Sequence, residues 1–276
     1  MNAVDFLLLR QAIVLIASAV SAYTDWKTGL VYDKITYPLI AIGAILCVLE
    51  QQWLGLALGI IVFVAGYAFY FAGKIGGGDV KLFSGIAFTL PFYGKGIFLL
   101  NVLFFGAMLA IIFFTFYFAG KYFLKHGINY KENKKGIAQA VLFGVFLALY
   151  LWIVIQLRVL SLVSIALLAV PLAFGLVFLA FERGIRKEFF LEKVKLEKLE
   201  EDELLAAEFE KPETLEALDL KFKGVLGKTE IEKLRKAKIK EVLVYRNAPK
   251  FAPFIFFGCA FAMAFPNIVN LFFLRL

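Results

Sequence analysis

The sequence is poor in the side chains on which metal sites and nucleophilic catalysis depend. Its 276 residues include one histidine, His126, and two cysteines, Cys47 and Cys259. The cysteines lie far apart in apolar runs and form neither a CxxC pair nor a Cys/His set with zinc spacing. His126 lies in a lysine-rich loop, and a single histidine cannot complete a metal site or a Ser-His triad. We therefore expect no metal and no cofactor.

Several widespread motifs are also absent. The chain contains no GxSxG, no HExxH and no GxxxxGK[ST] segment. These absences exclude the usual sequence patterns of serine hydrolases, zinc proteases and P-loop nucleotide-binding proteins.

Charged residues are scarce as well, at 19% of the chain, whereas 62% of the residues are hydrophobic and 32 are phenylalanine. A soluble globular protein is typically nearer one half apolar, so this composition predicts an integral membrane protein surrounded by lipid. The formal net charge is +8, and the basic residues that give it lie in loops between apolar runs and in one late polar block. That distribution is typical of membrane loops, and we expect no nucleic-acid partner.

The apolar runs predict the architecture. Crossing a bilayer core of about 30 Å takes about 20 apolar residues as a helix. The predicted spans are residues 3–24, 36–52, 54–73, 81–91, 96–120, 137–157, 160–181 and 251–274. The 81–91 segment reaches only about half that thickness and is expected to be a partial or tilted span. We therefore predict an all-α polytopic membrane protein with about six to eight transmembrane helices.

The loops alternate in charge, which predicts the orientation. The lysine-rich loops carry Lys27, Lys34, Lys74, Lys81, Lys121, Lys125, Lys131, Lys134 and Lys135. The opposite loops carry only Glu50, Lys95 and Arg158, so the lysine-rich side is predicted to be cytoplasmic and the N-terminus outside. The first span contains Arg10, whose side chain is expected to extend toward the membrane surface. No cleavage site follows this span, and it is expected to be retained.

A change in composition divides the chain. Residues 1–181 form the predicted transmembrane catalytic domain, 182–250 a small cytoplasmic α/β insertion rich in lysine and glutamate, and 251–276 the final transmembrane helix. Within the insertion, 191–209 has amphipathic helical spacing. Thr229 and Glu232 form a capping-box pattern for a helix to about residue 240, and Glu241–Tyr245 alternates like a strand.

The third span ends in a cluster of glycines followed by an acid. Gly76, Gly77, Gly78 and Asp79 fit a GxGD pattern. An ionisable residue at the start of an apolar span costs desolvation energy, which makes it a candidate for function. Glycines here would permit backbone dihedral angles closed to other residues and leave room for an extended substrate.

A second acid, Asp25, ends the first span. The second and third spans lie between Asp25 and Asp79. Because the chain crosses the membrane twice, it returns to the same membrane face. Two carboxyls sharing a site hold one proton between them, so one can activate water while the other polarises a carbonyl. Asp33, eight residues further on in the same loop, is the alternative to Asp25.

These residues resemble the type IV prepilin peptidase family of GxGD aspartyl proteases, most closely its archaeal preflagellin and pilin peptidase branch. Three stretches carry the likeness: Asp25-Trp26-Lys27 leading to the Ile-Thr-Tyr-Pro of 35–38, the glycines with Asp79-Val80-Lys81-Leu82, and residues 224–258. The paired loop cysteines of many bacterial members are missing. The segment after Asp25 also departs from the bacterial pattern.

The resemblance implies that Asp25 and Asp79 are the catalytic aspartates of an intramembrane endopeptidase. Such an enzyme would remove the short N-terminal leader of preflagellin- or prepilin-like precursors at the cytoplasmic face of the cell membrane. Both precursor types remain open as the natural substrate. A different class also remains open: an ion- or proton-coupled transporter using Asp25 and Asp79 in a polar cavity.

Overall fold

The computed structural model describes residues 3–72, 75–158, 160–201, 203–218, 224–246 and 249–268, which fold mainly into apolar helices. The first helices are α1 (Ala3–Thr28), α2 (Asp33–Leu49), α3 (Trp53–Phe71) and α4 (Gly77–Thr89). A hairpin of β1 (Phe92–Tyr93) and β2 (Gly96–Ile97) follows, and then α5 (Phe98–Phe114), a π-helical turn (Thr115–Ala119) and α6 (Gly120–His126) form one rod. The remaining long helices are α7 (Tyr130–Leu157) and α8 (Leu162–Ile185).

Among the described residues, five helical segments are long and apolar enough to cross a membrane. They are Phe6–Thr28, Trp53–Phe71, Phe98–His126, Tyr130–Leu157 and Leu162–Phe190. The predicted fold class, an all-α polytopic membrane protein, is confirmed. α2 is shorter, at 17 residues, and α4 has 13.

The last predicted span, 251–274, is only partly described. Its helix, α11 (Ala252–Ala264), has 13 residues. Residues 269–274 lie outside the described part of the chain, as do Gly73 at the predicted end of the third span and Lys74 after it.

α4 is the most enclosed helix of the fold. It packs against α1, α2 and α3, and its apolar side chains Val80, Leu82 and Ile86 are fully buried. Glycines allow this close approach: a Cβ on Gly59 of α3 would lie 2.3 Å from the ring of Phe88. Small residues at helix contacts are the usual means of tight packing in membranes.

The C-terminal end of α4 stops inside the protein, because 13 residues span only about 20 Å. Its last carbonyls are satisfied by side chains from α1 and α2. The Arg10 guanidinium donates to the carbonyl of Thr89 at 2.6 Å, and the Cys47 thiol donates to that of Phe88 at 3.2 Å. Arg10 also pairs with Glu50 at 3.0 Å.

The expectation that Arg10 extends to the membrane surface is therefore wrong, since the residue is 2% exposed. A buried cation beside the carbonyl end of a helix is favoured by the helix dipole and by the unsatisfied oxygens there. Arg10 is retained inside the bundle because α4 ends next to it.

α7 and α8 pack side by side and are joined by a polar cluster. The side-chain oxygen of the buried Asn133 accepts a hydrogen bond from the N–H of Gly184 at 3.0 Å. Its Nδ2 group donates to the hydroxyl of Tyr122 at 3.0 Å. Gly136 permits the approach, because a Cβ there would lie 2.6 Å from the carbonyl oxygen of Leu179. Many apolar side chains on the opposite face of α7 are exposed, which suits contact with lipid.

The polar block after α8 folds into small sheets and helices. Its elements are a π-helical turn (Arg186–Phe190), β3 (Leu191–Lys195), β4 (Glu203–Leu204), α9 (Pro212–Glu216), β5 (Val225–Leu226), α10 (Lys228–Lys236) and β6 (Glu241–Tyr245), with 3-10 turns at Leu196–Lys198 and Ala207–Phe209. β3 pairs with β6 in antiparallel register, and β4 with β5. The predicted α/β character is confirmed, whereas the division at residues 182 and 250 stays a prediction.

Local predictions within this block had mixed outcomes. The predicted helix over 191–209 is wrong, because β3 pairs with β6 and buries Val194 in a core shared with Val242 and Val244. The strand Glu241–Tyr245 is confirmed. The predicted helix near 229–240 is also present, but α10 starts at Lys228 and ends at Lys236, before Lys238 adopts a positive φ of 56°.

Replacing Arg10 with Met should destabilise the protein strongly. The variant leaves Glu50 and the carbonyl of Thr89 without their partner in a buried setting, a loss of about 3 kcal/mol. Thermal unfolding in neutral detergent measures it. Lys27→Met on the exposed end of the same helix is the control, and equal melting temperatures for the two variants would contradict the assigned role of Arg10.

Candidate active site

Asp25 lies in the last turns of α1 and is 7% exposed. The helix continues past it to Thr28 and ends at Gly29, which adopts a positive φ of 75°. The N–H of Gly29 donates to the carbonyl of Asp25 at 2.8 Å. This glycine closure is a common helix end, and it fixes the backbone that carries Asp25.

Asp79 lies in the first turn of α4 and is partly buried. It precedes the enclosed part of that helix and lies outside the five membrane-crossing segments. Burial, followed by the charge of Asp25, raises the pKa of Asp79 to about 7. The two carboxyls therefore lie within electrostatic reach of each other, at the end of the bundle where α1 stops and α4 begins.

A third element, not anticipated from the residues near either acid, also reaches this point. The N–H of Ala252, the first residue of α11, donates to Oδ2 of Asp25 at 3.0 Å. The Lys250 ammonium donates to the carbonyl of Trp26, next to Asp25. The rings of Phe83 and Phe251 meet 6.4 Å apart between α4 and the start of α11.

The only sequence signal for this contact is the resemblance of residues 224–258 to the family. A hydrogen bond that joins residues 227 positions apart leaves no local pattern in the chain. A carboxylate at the first N–H groups of a helix is nevertheless a favourable arrangement, because those groups have no partner within the helix.

The glycines before Asp79 do not have the predicted role in backbone conformation. Gly76 has φ −68° and ψ 142°, values open to any residue, and Gly77 and Gly78 are helical. Close packing explains Gly78 instead: a Cβ there would lie 2.9 Å from the Cβ of Val31 and 3.2 Å from its carbonyl oxygen. This contact sets the first turn of α4 against the segment between α1 and α2.

Asp33, the alternative to Asp25, is engaged elsewhere. Its side chain is exposed and forms an ion pair of 2.5 Å with Lys81. The ammonium of Lys81 also lies 4.9 Å from the ring centroid of Tyr37. The charge that raises the pKa of Asp79 is that of Asp25, so the structure brings Asp25 and Asp79 together and leaves Asp33 joining α2 to α4.

No group of three potential metal-ligating side chains occurs in the part of the chain that the structure describes. The groups that meet at this site are two interacting carboxyls, a neighbouring ammonium and the N-terminus of a helix. Such a pair can share a proton and activate a water molecule.

Comparison with known proteins shows which family part of this chain resembles. Residues 12–121 match the type IV leader peptidase family. This range contains both Asp25 and Asp79, and it confirms the family resemblance predicted from the sequence.

One curated relative is the prepilin peptidase EppA of Methanothermobacter thermautotrophicus. It is 32% identical over 93 residues, which cover 31% of this chain and 24% of the relative. The chain thus aligns with about a quarter of that protein's length. No solved structure matches the chain.

Replacing Gly78 with Ala should lower stability by about 1–3 kcal/mol, because the new methyl group overlaps Val31 and forces the first turn of α4 to move. Thermal unfolding in detergent measures the change. Gly120→Ala is the matched control: it is also helical and has no atom within 4 Å of its added Cβ, so its stability should stay equal or rise slightly. A Gly78 variant as stable as this control would contradict the packing argument.

Proposed function

We propose that this protein is an intramembrane aspartyl endopeptidase that uses Asp25 and Asp79 as its catalytic pair. It removes the short N-terminal leader of preflagellin- or prepilin-like precursors at the cytoplasmic face of the cell membrane. The observation that carries the proposal is the position of Asp25, near the end of α1, within electrostatic reach of Asp79, in the first turn of α4. Both residues lie in the segment that matches the type IV leader peptidase family.

The two carboxyls have different surroundings, which suggests different roles. Asp25 accepts the N–H of Ala252 and lies near the ammonium of Lys250, and both interactions favour an ionised carboxylate. Burial and the charge of Asp25 raise the pKa of Asp79 to about 7, so this carboxyl is protonated below that pH. Asp25 is therefore the general base and Asp79 the general acid.

The reaction follows from these roles. The Asp25 carboxylate takes a proton from a water molecule, whose oxygen attacks the carbonyl carbon of the scissile peptide bond. The Asp79 carboxyl donates to the carbonyl oxygen and stabilises the charge that develops there. The C–N bond then breaks as Asp25 passes the proton it took from water to the leaving nitrogen. Asp79 recovers its proton from a hydroxyl of the tetrahedral intermediate, and no covalent enzyme intermediate forms.

The surroundings of the pair suit a precursor with an apolar N-terminal helix. The outer face of α1 exposes Ile16, Val20 and Tyr23, about half a turn around the helix from Asp25. A precursor helix in the bilayer would lie beside the bundle and extend past the end of α1 to bring the bond before it to the carboxyls. The polar leader would then remain in water beyond the ends of α1 and α4.

Removing either carboxyl should abolish leader release. Asp25→Asn and Asp79→Asn each eliminate one partner in proton transfer and should lower kcat/KM by at least about a hundredfold. The assay uses detergent-solubilised protein and a prepilin-like precursor, and it follows the cleaved product by gel and mass spectrometry.

Asp33→Asn is the matched control for that experiment. Because the Asp33 side chain is 55% exposed and pairs with Lys81, the variant should stay within about fivefold of wild type. Cleavage retained in Asp25→Asn or Asp79→Asn would remove the catalytic pair, and coupled ion flux in liposomes would then favour the transporter alternative.

The pH profile should report the proton on Asp79. A carboxyl with a pKa near 7 is protonated below that pH and loses its proton above it. Activity that requires the protonated form should fall about tenfold per pH unit above about 7. Measurement of kcat/KM between pH 5 and 9 tests this, with Asp33→Asn expected to give the same profile. A rate that keeps rising through pH 8 would contradict the role of Asp79 as the acid.

A further inference from the structure

An open, basic cavity lies where α7 begins and α8 ends, away from the carboxyl pair. Its volume is about 830 Å³, and its charged lining comprises Lys131, Glu132, Lys134, Lys135, Arg183 and Lys187. These residues come from the first turns of α7 and from the last turns of α8 and the segment after it. Basic side chains from both helices therefore line one pocket.

The charges in this cavity are not balanced. Glu132 is the one acid of the lining and already pairs with Lys187 at 2.6 Å. Among the described residues, Lys131, Lys134 and Lys135 form no ion pair. The Arg183 guanidinium lies over the ring of Phe209, 5.5 Å from its centroid. Clustered cations repel each other, and a bound anion would relieve that repulsion.

The apolar surface beside the cavity indicates what kind of anion fits. Ala138 lies at the edge of the lining, and the next turns of α7 expose Val141, Leu142 and Val145. The basic cluster and this apolar surface are separated by about two helical turns, or about 11 Å. A ligand with an anionic head and hydrocarbon chains would contact both surfaces.

We propose that this cavity binds the phosphate-bearing headgroup of an anionic membrane lipid, with the hydrocarbon chains lying along α7. Lys131, Lys134 and Lys135 contact the phosphate, together with Arg183. Basic pockets between transmembrane helices are a known way in which proteins recognise such headgroups.

The position of the cavity gives the bound lipid a structural effect. Glu132 joins Lys187 to the hydroxyl of Tyr122, which in turn bonds Asn133 in the contact between α7 and α8. Arg183 contacts Phe209 of the polar block. A headgroup in the cavity would therefore stabilise α7, α8 and the polar block together.

The test uses the full chain, delipidated in neutral detergent and titrated with dioctanoyl phosphatidylglycerol. Native mass spectrometry counts bound lipid, and thermal unfolding reports stabilisation. We expect a saturable one-lipid adduct and a rise in melting temperature. Dioctanoyl phosphatidylcholine, with equal chains and no net charge, should bind much more weakly.

The variant that tests the cavity is the triple substitution Lys131→Gln, Lys134→Gln and Lys135→Gln. Loss of each lysine should weaken lipid binding about fivefold, so the triple variant should bind about a hundredfold more weakly. The control removes three exposed lysines of the polar block, Lys236, Lys238 and Lys240, by the same change. It lowers the net charge equally and should keep wild-type affinity.

Three outcomes would overturn the proposal. Equal binding of the zwitterionic lipid would exclude recognition of the anionic head. An equal loss of lipid affinity in both triple variants would mean that binding depends only on the net charge of the protein. Stabilisation by inorganic phosphate that matches the anionic lipid, and is lost in the cavity variant, would make the ligand a free anion instead.

Discussion

The interior end of α4 is the constraint on which the rest of the bundle depends. A helix of 13 residues cannot cross a bilayer, and its last carbonyls would be left without partners in an apolar interior. Arg10 and Cys47 provide those partners, and Glu50 balances the guanidinium. With this end fixed inside the protein, the other end of α4 falls level with the end of α1, which is where the chain carries Asp79 and Asp25.

The same logic explains why the site needs a helix from the far end of the sequence. Asp25 is almost wholly buried, and a buried carboxylate requires hydrogen-bond donors. The first N–H groups of α11 need acceptors. The bond from Ala252 to Asp25 meets both needs at once. The segment that matches the family ends at residue 121, so part of the environment of Asp25 is supplied by the chain beyond that match.

The sequence predicted the features that depend on composition and local pattern. Apolar runs predicted the helices, and its position at the boundary of a span made Asp79 a candidate functional residue. It could not predict the setting of Arg10, because whether a basic residue faces the interior depends on where another helix ends. The helix predicted over 191–209 failed for a related reason: the apolar spacing suited a helix, but pairing of β3 with β6 buries Val194 more effectively. Tertiary contacts overrode the local preference.

The glycines of the GxGD pattern illustrate a prediction that was wrong about backbone conformation. Their backbone angles are ordinary, so conformational freedom does not account for them. Gly78 is required by the approach of Val31, and Gly59 by the ring of Phe88. Both contacts press α4 against its neighbours, one near each end of the helix. Since Asp79 is the residue after Gly78, the lack of a side chain at Gly78 lets the turn that carries Asp79 lie against Val31.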